Sequence, residues 1–593
     1  MTLSARPRLA LTRALTTTLS VVLVQGMAPW GGLRSQAEPL PQPSANLLRS
    51  LDRFERDMKL LDQTLPSQRP QTRQATSAPP GTSDRELLAS LQAPPPGAIP
   101  STPQAVQIRR EVSLSLPLAL EVAVRNDPEL AEQGAAVRER QGWLTSVRGR
   151  FWPELSLLAG SAYSQIRTNS TAWQGNEGIY PAGSPFLVQT GGWNQIQQNL
   201  QTAQAGFGIS WELVSFERNA ALAETKDELK ASKQRYANRL RQLQLDVSLA
   251  YYGLQLAEQL RRVRQAVLNN DAIVREEVAA LKRSGLVPRL DLLRADAELQ
   301  QSRYRLEQAE ALRLSRQRQL SNLINAPFDV TITAPEAVTL QPPWPLELQQ
   351  TLIQGYAQNP QLLALQAARD ALRNQANRRA AELLPSLRLF AQGGYGEVIS
   401  DEPVIDLHGC CGATHIPELY SQSADWAAGL QLRWRLFDGG VTSGAVAASR
   451  AAAERTDQAL ARERNGIRQR LEAAFFDHRA ALGQIVASRA SYAAAREAFR
   501  DVRARYQLGL ANFTDVSQTI RLLTQTMESV AEAVTLSNVS YAQLLRELIT
   551  VPDQPGAPVR LPLVLPLPPG PQAPGSGPAG AANAKPNSAT PAG

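Results

Sequence analysis

A chain of 593 residues has room for several domains, but aromatics make up only 6% of it, too few for several compact cores. Ala, Leu, Gln and Arg dominate its middle, which favours long helices over packed globules. The formal charge is +8, and Arg6, Arg8, Arg13 and Arg34 carry half of it. The remaining excess is mild and dispersed, which excludes a nucleic-acid partner and fits a solvated helical surface.

Residues 1–37 read as a secretory signal. Three arginines precede the apolar run ALTTTLSVVLVQGMA, and Ser35-Gln36-Ala37 offers small residues for cleavage before Glu38. An uncleaved anchor fits less well, because Gln25 and Gly26 break a run already short for a span. Proline then marks the boundaries. Of the 41 prolines, 12 lie in residues 38–110 and 12 in 552–593, so both flanks read as extended segments that bury too little to fold. One exception is a helix over 44–65. Leu47, Leu51, Phe54, Met58, Leu61 and Leu65 form a heptad seam behind a Ser44 cap, and so short a helix implies a partner surface or self-association.

The middle repeats itself. RNDPEL at 125–130 matches AQNPQL at 357–362, and FWPELSLLAGSAY at 151–163 matches LLPSLRLFAQGGY at 383–395. Tyr251-Tyr252, Gly285, Asp291 and Leu320 recur as Phe475-Phe476, Gly509, Asp515 and Leu544. The expected units are residues 111–345 and 346–552, followed by an unfolded Pro/Gly/Ala-rich tail over 553–593. Each unit opens with a short helix, an Asp-Pro or Asn-Pro break, and a helix over about 128–150 or 360–383. Pro153 or Pro385 then stops the helix and opens a β-hairpin, over about 153–216 and 385–437. On one face lie Leu387, Leu389, Ala391, Leu430, Leu432 and Trp434, with Phe207, Ile209, Trp211 and Leu213 in the first unit. The other face carries Glu212, Arg388, Arg433 and Arg435.

Long proline-free stretches follow, over 217–283 and 441–507, each roughly 100 Å of helix. Tyr236, Leu240, Leu243, Val247, Ala250 and Leu254 make a coiled-coil seam on the first. Each long helix meets a Gly-Leu break, SGLVPRLDLL at 284–293 or LGLANFTDVS at 508–517, and turns into another helix over 290–325 or 514–549. Hairpins of this length build a rod or a tube. Strands with one apolar and one polar face suit a small sandwich or a membrane barrel, and each is about as long as a tilted membrane crossing. Four strands cannot close a barrel, so a membrane reading requires two chains sharing eight strands or three sharing twelve.

The doubled Pro breaks, the PELSL and PSLRL strand starts and the paired Gly-Leu breaks resemble the TolC-like outer-membrane efflux proteins over about 112–552. The resemblance implies an α+β membrane protein, a duplicated unit of long coiled-coil helical hairpins plus two β-hairpins. As a homotrimer it would form a 12-stranded β-barrel in outer-membrane lipid and a periplasmic α-helical tunnel. It implies a periplasmic adaptor and an inner-membrane RND or ABC pump as partners. It places Ser284, Gly285, Leu286, Leu508, Gly509 and Leu510 at the tips that receive the adaptor. It places Asp291 and Asp515 at the periplasmic gate, with Gln518 standing where a second acid is usual and Ala511 where a basic gate-linking residue occurs.

HGCCGATH holds His408, Cys410, Cys411 and His415 in a loop that the resemblance puts at the cell surface. A strained vicinal disulfide, a metal site, or neither fits it, and the adjacent cysteines argue against tetrahedral capture. The helical body shows no nucleophile–base pair, phosphate loop or spaced metal cluster, so no enzyme and no cofactor are expected. The leading function is a passive exit duct of a tripartite efflux or type I secretion system. The alternative is a structural coiled-coil envelope protein without a channel.

Overall fold

The computed structural model describes residues 45–65, 82–171, 193–334, 338–408, 412–415, 419–508, 510–556 and 559–566, with isolated positions 174, 179 and 190. The signal sequence, Cys410, Cys411, Gly509 and the tail beyond 566 lie outside the described residues, as do the side chains of His408 and His415.

The first part of the chain forms α1 (Ala45–Gln63), α2 (Thr82–Ser90), β1 (Arg110–Ser113), α3 (Leu116–Asn126), α4 (Pro128–Gly149), β2 (Glu154–Thr171), β3 (Trp193–Val214), α5 (Phe216–Arg283), α6 (Arg289–Leu323) and β4 (Val330–Thr333). The order then recurs as α7 (Leu348–Ala357), α8 (Pro360–Ala381), β5 (Ser386–His408), a short β6 (Gly412–His415), β7 (Leu419–Arg433), α9 (Val441–Gln507) and α10 (Phe513–Leu548). The Pro breaks are helix starts of one design. Asp127 and Asn359 cap α4 and α8 by accepting from Glu129 N–H and Gln361 N–H, with proline at the first helical position. Asp127 is buried and answered by Arg239 at 2.6 Å.

α5 and α9, at 68 and 67 residues, run roughly 100 Å each. α5 packs against α4 and α6, α9 against α8 and α10, and α5 reaches across to α8 and α10 to join the two units. The heptad seam from Tyr236 to Leu254 is buried, as its spacing requires. Among the described residues no helix is long and apolar enough to cross a membrane.

The four long strands form one antiparallel sheet in the order β2-β3-β5-β7, with β6 on the far end of β5. Register places Leu155, Leu157, Phe207, Ile209, Leu389 and Leu430 on one face. Glu212 and Arg388 pair at 3.5 Å on the other, a face with Gly206 and Gly394 at its centre. A Cβ on Gly206 would stand 2.9 Å from the Gly393 carbonyl, so glycine is required for β3 and β5 to approach. The strands have 15 to 23 residues, about twice the 9–11 of a tilted membrane crossing. The reason is visible beyond Tyr163, where the formerly apolar face turns polar but the ladder continues. Gln165 bonds Asn199 at 3.1 Å and Arg167 bonds Gln197 at 2.8 Å across β2 and β3.

At the waist, β1 and β4 pair in parallel, joining Arg110–Ser113 to Val330–Thr333. The C-terminal segment differs from its reading as unfolded from residue 553. Leu565 is buried with Tyr541 and Ile549, its N–H bonds the Tyr541 hydroxyl, and the Pro562 carbonyl accepts from Gln244. Leu88 and Leu91 of the proline-rich N-terminal flank are buried in the waist too. Proline-rich chain has no ladder to give, but its leucines still fill grooves between helices.

α1 is likewise held by its own chain. Leu47, Leu51, Phe54, Met58 and Leu61 are buried against α5 and α9, each worth about 1.5–3 kcal/mol when fully removed from water. The partner surface implied by its heptad seam is therefore intramolecular.

His478 on α9 is buried in the waist. Its Nε2 accepts from Trp344 N–H at 3.2 Å, so the neutral ring carries its proton on Nδ1, facing the Ser537 carbonyl. Burial depresses its pKa, opposed by that carbonyl. The stability gained from the neutral ring is complete above the ordinary value near 6.5 and is lost as pH falls through the depressed folded value. Thermal unfolding of the detergent-solubilised protein should show this loss as pH falls from 7 toward 5, and His478→Gln should reduce it.

Candidate functional site

Both helical hairpins turn at the same end of the molecule, and both turns are built alike. Ser284 caps the end of α5, and Gly285 takes φ +76°, the left-handed region that favours glycine. Gly285 N–H bonds the Lys282 carbonyl at 3.1 Å and Leu286 N–H bonds the Leu281 carbonyl at 3.0 Å, the two bonds of a Schellman cap. In the second hairpin Leu510 N–H bonds the Arg505 carbonyl at 2.8 Å, the same six-to-one bond. The turns leave Leu286, Leu508 and Leu510 at 54%, 73% and 71% exposure, an apolar tip with no cover from the chain's described residues. Leu290 and Leu293 extend that surface along α6.

The two acids after the turns have different surroundings. Asp291 sits in the first turn of α6, where its charge suits the helix dipole, and pairs with Arg294 on the same helix at 3.7 Å. Asp515 belongs to a capping box. The Asn512 side chain accepts from Asp515 N–H at 2.9 Å, and the Asp515 carboxylate accepts from Asn512 N–H at 3.2 Å. Gln518 is exposed one turn on.

Near the tips the hairpins are joined by residues the sequence reading did not single out. Glu298, two turns past Asp291 on α6, accepts from the Ser517 hydroxyl at 2.6 Å and from Arg521 at 3.1 Å, both on α10. Spacing was the available signal, because residues 517 and 521 are four apart and share a helix face. Arg264 on α5 pairs with Glu528 on α10 at 2.7 Å farther up. Beside them Asp271 of α5 accepts from the Ser302 hydroxyl of α6. Burial pushes Asp271 up to about 6, the Ser302 bond opposes the rise, and the nearby Glu298 adds to it. The tip-proximal parts of α6 and α10 are therefore tied by one carboxylate with two donors, close to a second carboxylate that resists ionisation.

Sequence comparison matches residues 119–326 and 353–548 to the family described as outer membrane efflux protein. Protein CyaE of Bordetella pertussis is 24% identical over 397 residues, 66% of this chain and 74% of that protein. The outer-membrane channel OprN superposes with a TM-score of 0.56 at 16% identity, over 82% of this chain and 98% of its own. CusC superposes at 0.55 with 15% identity, over 77% and 99%, and VceC of Vibrio cholerae at 0.52 with 17% identity, over 73% and 95%. The last two thus share the same strand-and-hairpin fold over nearly their whole lengths. With both repeat units matched, the chain belongs to the outer membrane efflux protein family, whose members are channels rather than enzymes.

Proposed function

We propose that three copies of the chain close a twelve-stranded barrel in the outer membrane and continue it as a helical tunnel in the periplasm. The duct would passively conduct substrate delivered by an inner-membrane RND or ABC pump through a periplasmic adaptor, in tripartite efflux or type I secretion. The observation that carries this reading is the sheet. It has an apolar face, a polar glycine-rich face and two edges, β2 and β7, that are unpaired among the described residues, and each backbone group left unpaired in lipid costs several kcal/mol. Pairing β2 of one copy with β7 of the next removes both edges. Names of the superposed structures, which speak of an outer-membrane channel and of transmembrane channel formation, support it.

In this reading Trp211 and Trp434 mark the periplasmic rim of the apolar band. Each indole N–H bonds the carbonyl two residues before a strand-opening proline, Phe151 at 3.0 Å and Leu383 at 3.1 Å. Ser284, Gly285, Leu286, Leu508, Gly509 and Leu510 are the adaptor-docking tips. Asp291, Asp515 and Gln518 line the gate, and Glu298 with Ser517 and Arg521 fastens it.

The test is single-channel conductance of the purified protein in planar bilayers. Wild type should give discrete, mostly closed channels. Glu298→Ala, which frees α10 from α6 without touching a helix cap, should raise the open fraction severalfold, the effect of losing about 1 kcal/mol of charge-assisted bonding. Asp515→Ala should lower cation preference. Folded protein that forms no channels would replace the duct by the structural envelope reading.

A further inference from the structure

We propose that α1 is a clamp on the gate: a segment from outside the repeats, folded back across both hairpins of its own chain, that holds their tip ends in the closed arrangement. The inference rests on the duct reading above. It starts from where α1 lies. At its middle, Glu55 binds Arg500 at 2.8 Å and Arg503 at 2.7 Å, and Arg503 also binds Asp52. Those arginines stand within eight residues of the Leu508 tip. Beside these ion pairs Phe54 meets Phe499 edge-on at 5.8 Å, and a turn farther along the Tyr492 hydroxyl bonds the Met58 carbonyl at 3.4 Å. At its far end Asp62 still faces Arg489 of α9 at 3.9 Å, and Gln259 of α5 bonds Thr64 at 3.1 Å and the Leu61 carbonyl at 3.4 Å.

One helix is thus fastened to α9 by charge and to α5 by amide bonds, and its apolar face completes the packing. Leu51, Phe54 and Met58 share a single buried cluster with Val274 of α5 and with Val516 and Ile520 of α10. Val516 and Ile520 flank Ser517, the residue that holds Glu298. The clamp and the interhelical tie therefore meet on the first two turns of α10.

Opening a bundle of this kind slides packed helices past one another or swings one hairpin from the next. A helix bonded to both hairpins fits only one of the two arrangements. It behaves as a tethered ligand with differential affinity for the closed state, and such a ligand shifts the equilibrium by that difference. Nothing in the duplicated design supplies it. α1 precedes both segments matched to the family, and neither unit repeats it, so each chain carries one clamp for two hairpins.

The experiment compares channels formed by the full chain, with trypsin cleavage at Arg53, Arg56 and Lys59 reporting whether α1 is released. Arg500→Glu with Arg503→Glu turns the α9 anchor against Asp52 and Glu55, and Phe54→Asp breaks the apolar seat. Both should expose α1 to trypsin and raise open probability roughly tenfold. Adding Asp52→Arg and Glu55→Arg to the first variant restores opposite charges and should return both protection and closure. Wild-type gating in a variant whose α1 is cut would overturn the clamp and leave the duct intact. No channels from any variant, wild type included, would overturn the duct reading and this inference with it.

Discussion

Glu547→Ala is expected to destabilise the detergent-solubilised protein by about 3–5 kcal/mol, the cost of stripping a buried ion network of its counter-charge. Glu547 is only 2% exposed and holds four groups together. Its carboxylate pairs with Arg470 at 2.8 Å and with Arg546, accepts from Asn359 at 3.0 Å, and lies near the buried Arg241. Burial draws the Arg241 guanidinium down to about 10, against the pull of Glu547 in the other direction. Removing the acid leaves Arg241 charged in an apolar waist and deprives the Asn359 cap of its second-side bond. Urea unfolding followed by helical circular dichroism would measure the loss. A companion change of Arg241→Met should recover part of it, because a buried charge without a partner is then no longer left behind. A loss under about 1 kcal/mol would mean that water reaches the network.

The second large effect is expected at the tips. Leu508→Asp with Leu510→Asp places two charges on the most exposed apolar ground at this end of the molecule. If this surface seats a partner, desolvating those carboxylates without counter-charges costs several kcal/mol, and the central leucines of a small apolar contact are where binding energy concentrates. The export phenotype that separates wild-type cells from a deletion strain should fall at least roughly tenfold, while conductance of the purified channel in bilayers stays as it was. An unchanged phenotype would remove the second hairpin's tip from the docking surface. The capping bond from Leu510 N–H to the Arg505 carbonyl is made by backbone and survives the substitution, so folding is not the confounding variable.

What was legible in the sequence was whatever obeys a period. The 3.5-residue seam of α5, the long proline-free helices and the Gly-Leu turns all follow from spacing, and Gly285 has the positive φ that its place after α5 demands. The heptad of α1 announced a buried face but not its seat, because complementarity between Phe54 and Phe499 is separated by 445 positions along the chain. Strand length was underestimated for a physical reason. Alternation of apolar and polar residues marks only the greasy stretch, and Gln165 or Arg167 extends a ladder as readily as leucine does. The parallel pair of β1 and β4 was missed because four-residue strands carry no period at all. At the gate, the acids after the turns were visible as landmarks. The cap at Asn512 was overlooked in favour of the more conspicuous Asp515, and Glu298 lies past the capping turn of α6, where one carboxylate looks like any other.

The polar half of the sheet has one further consequence. The hydrogen-bonded ladder runs from Glu154 to Thr171, but leucine and tyrosine on its apolar face end at Tyr163. Eight further residues of strand, at about 3.3 Å each, rise past that point as a water-bathed chimney. In the proposed duct, cargo would therefore leave above the headgroups, clear of the layer most apt to recapture an amphiphile.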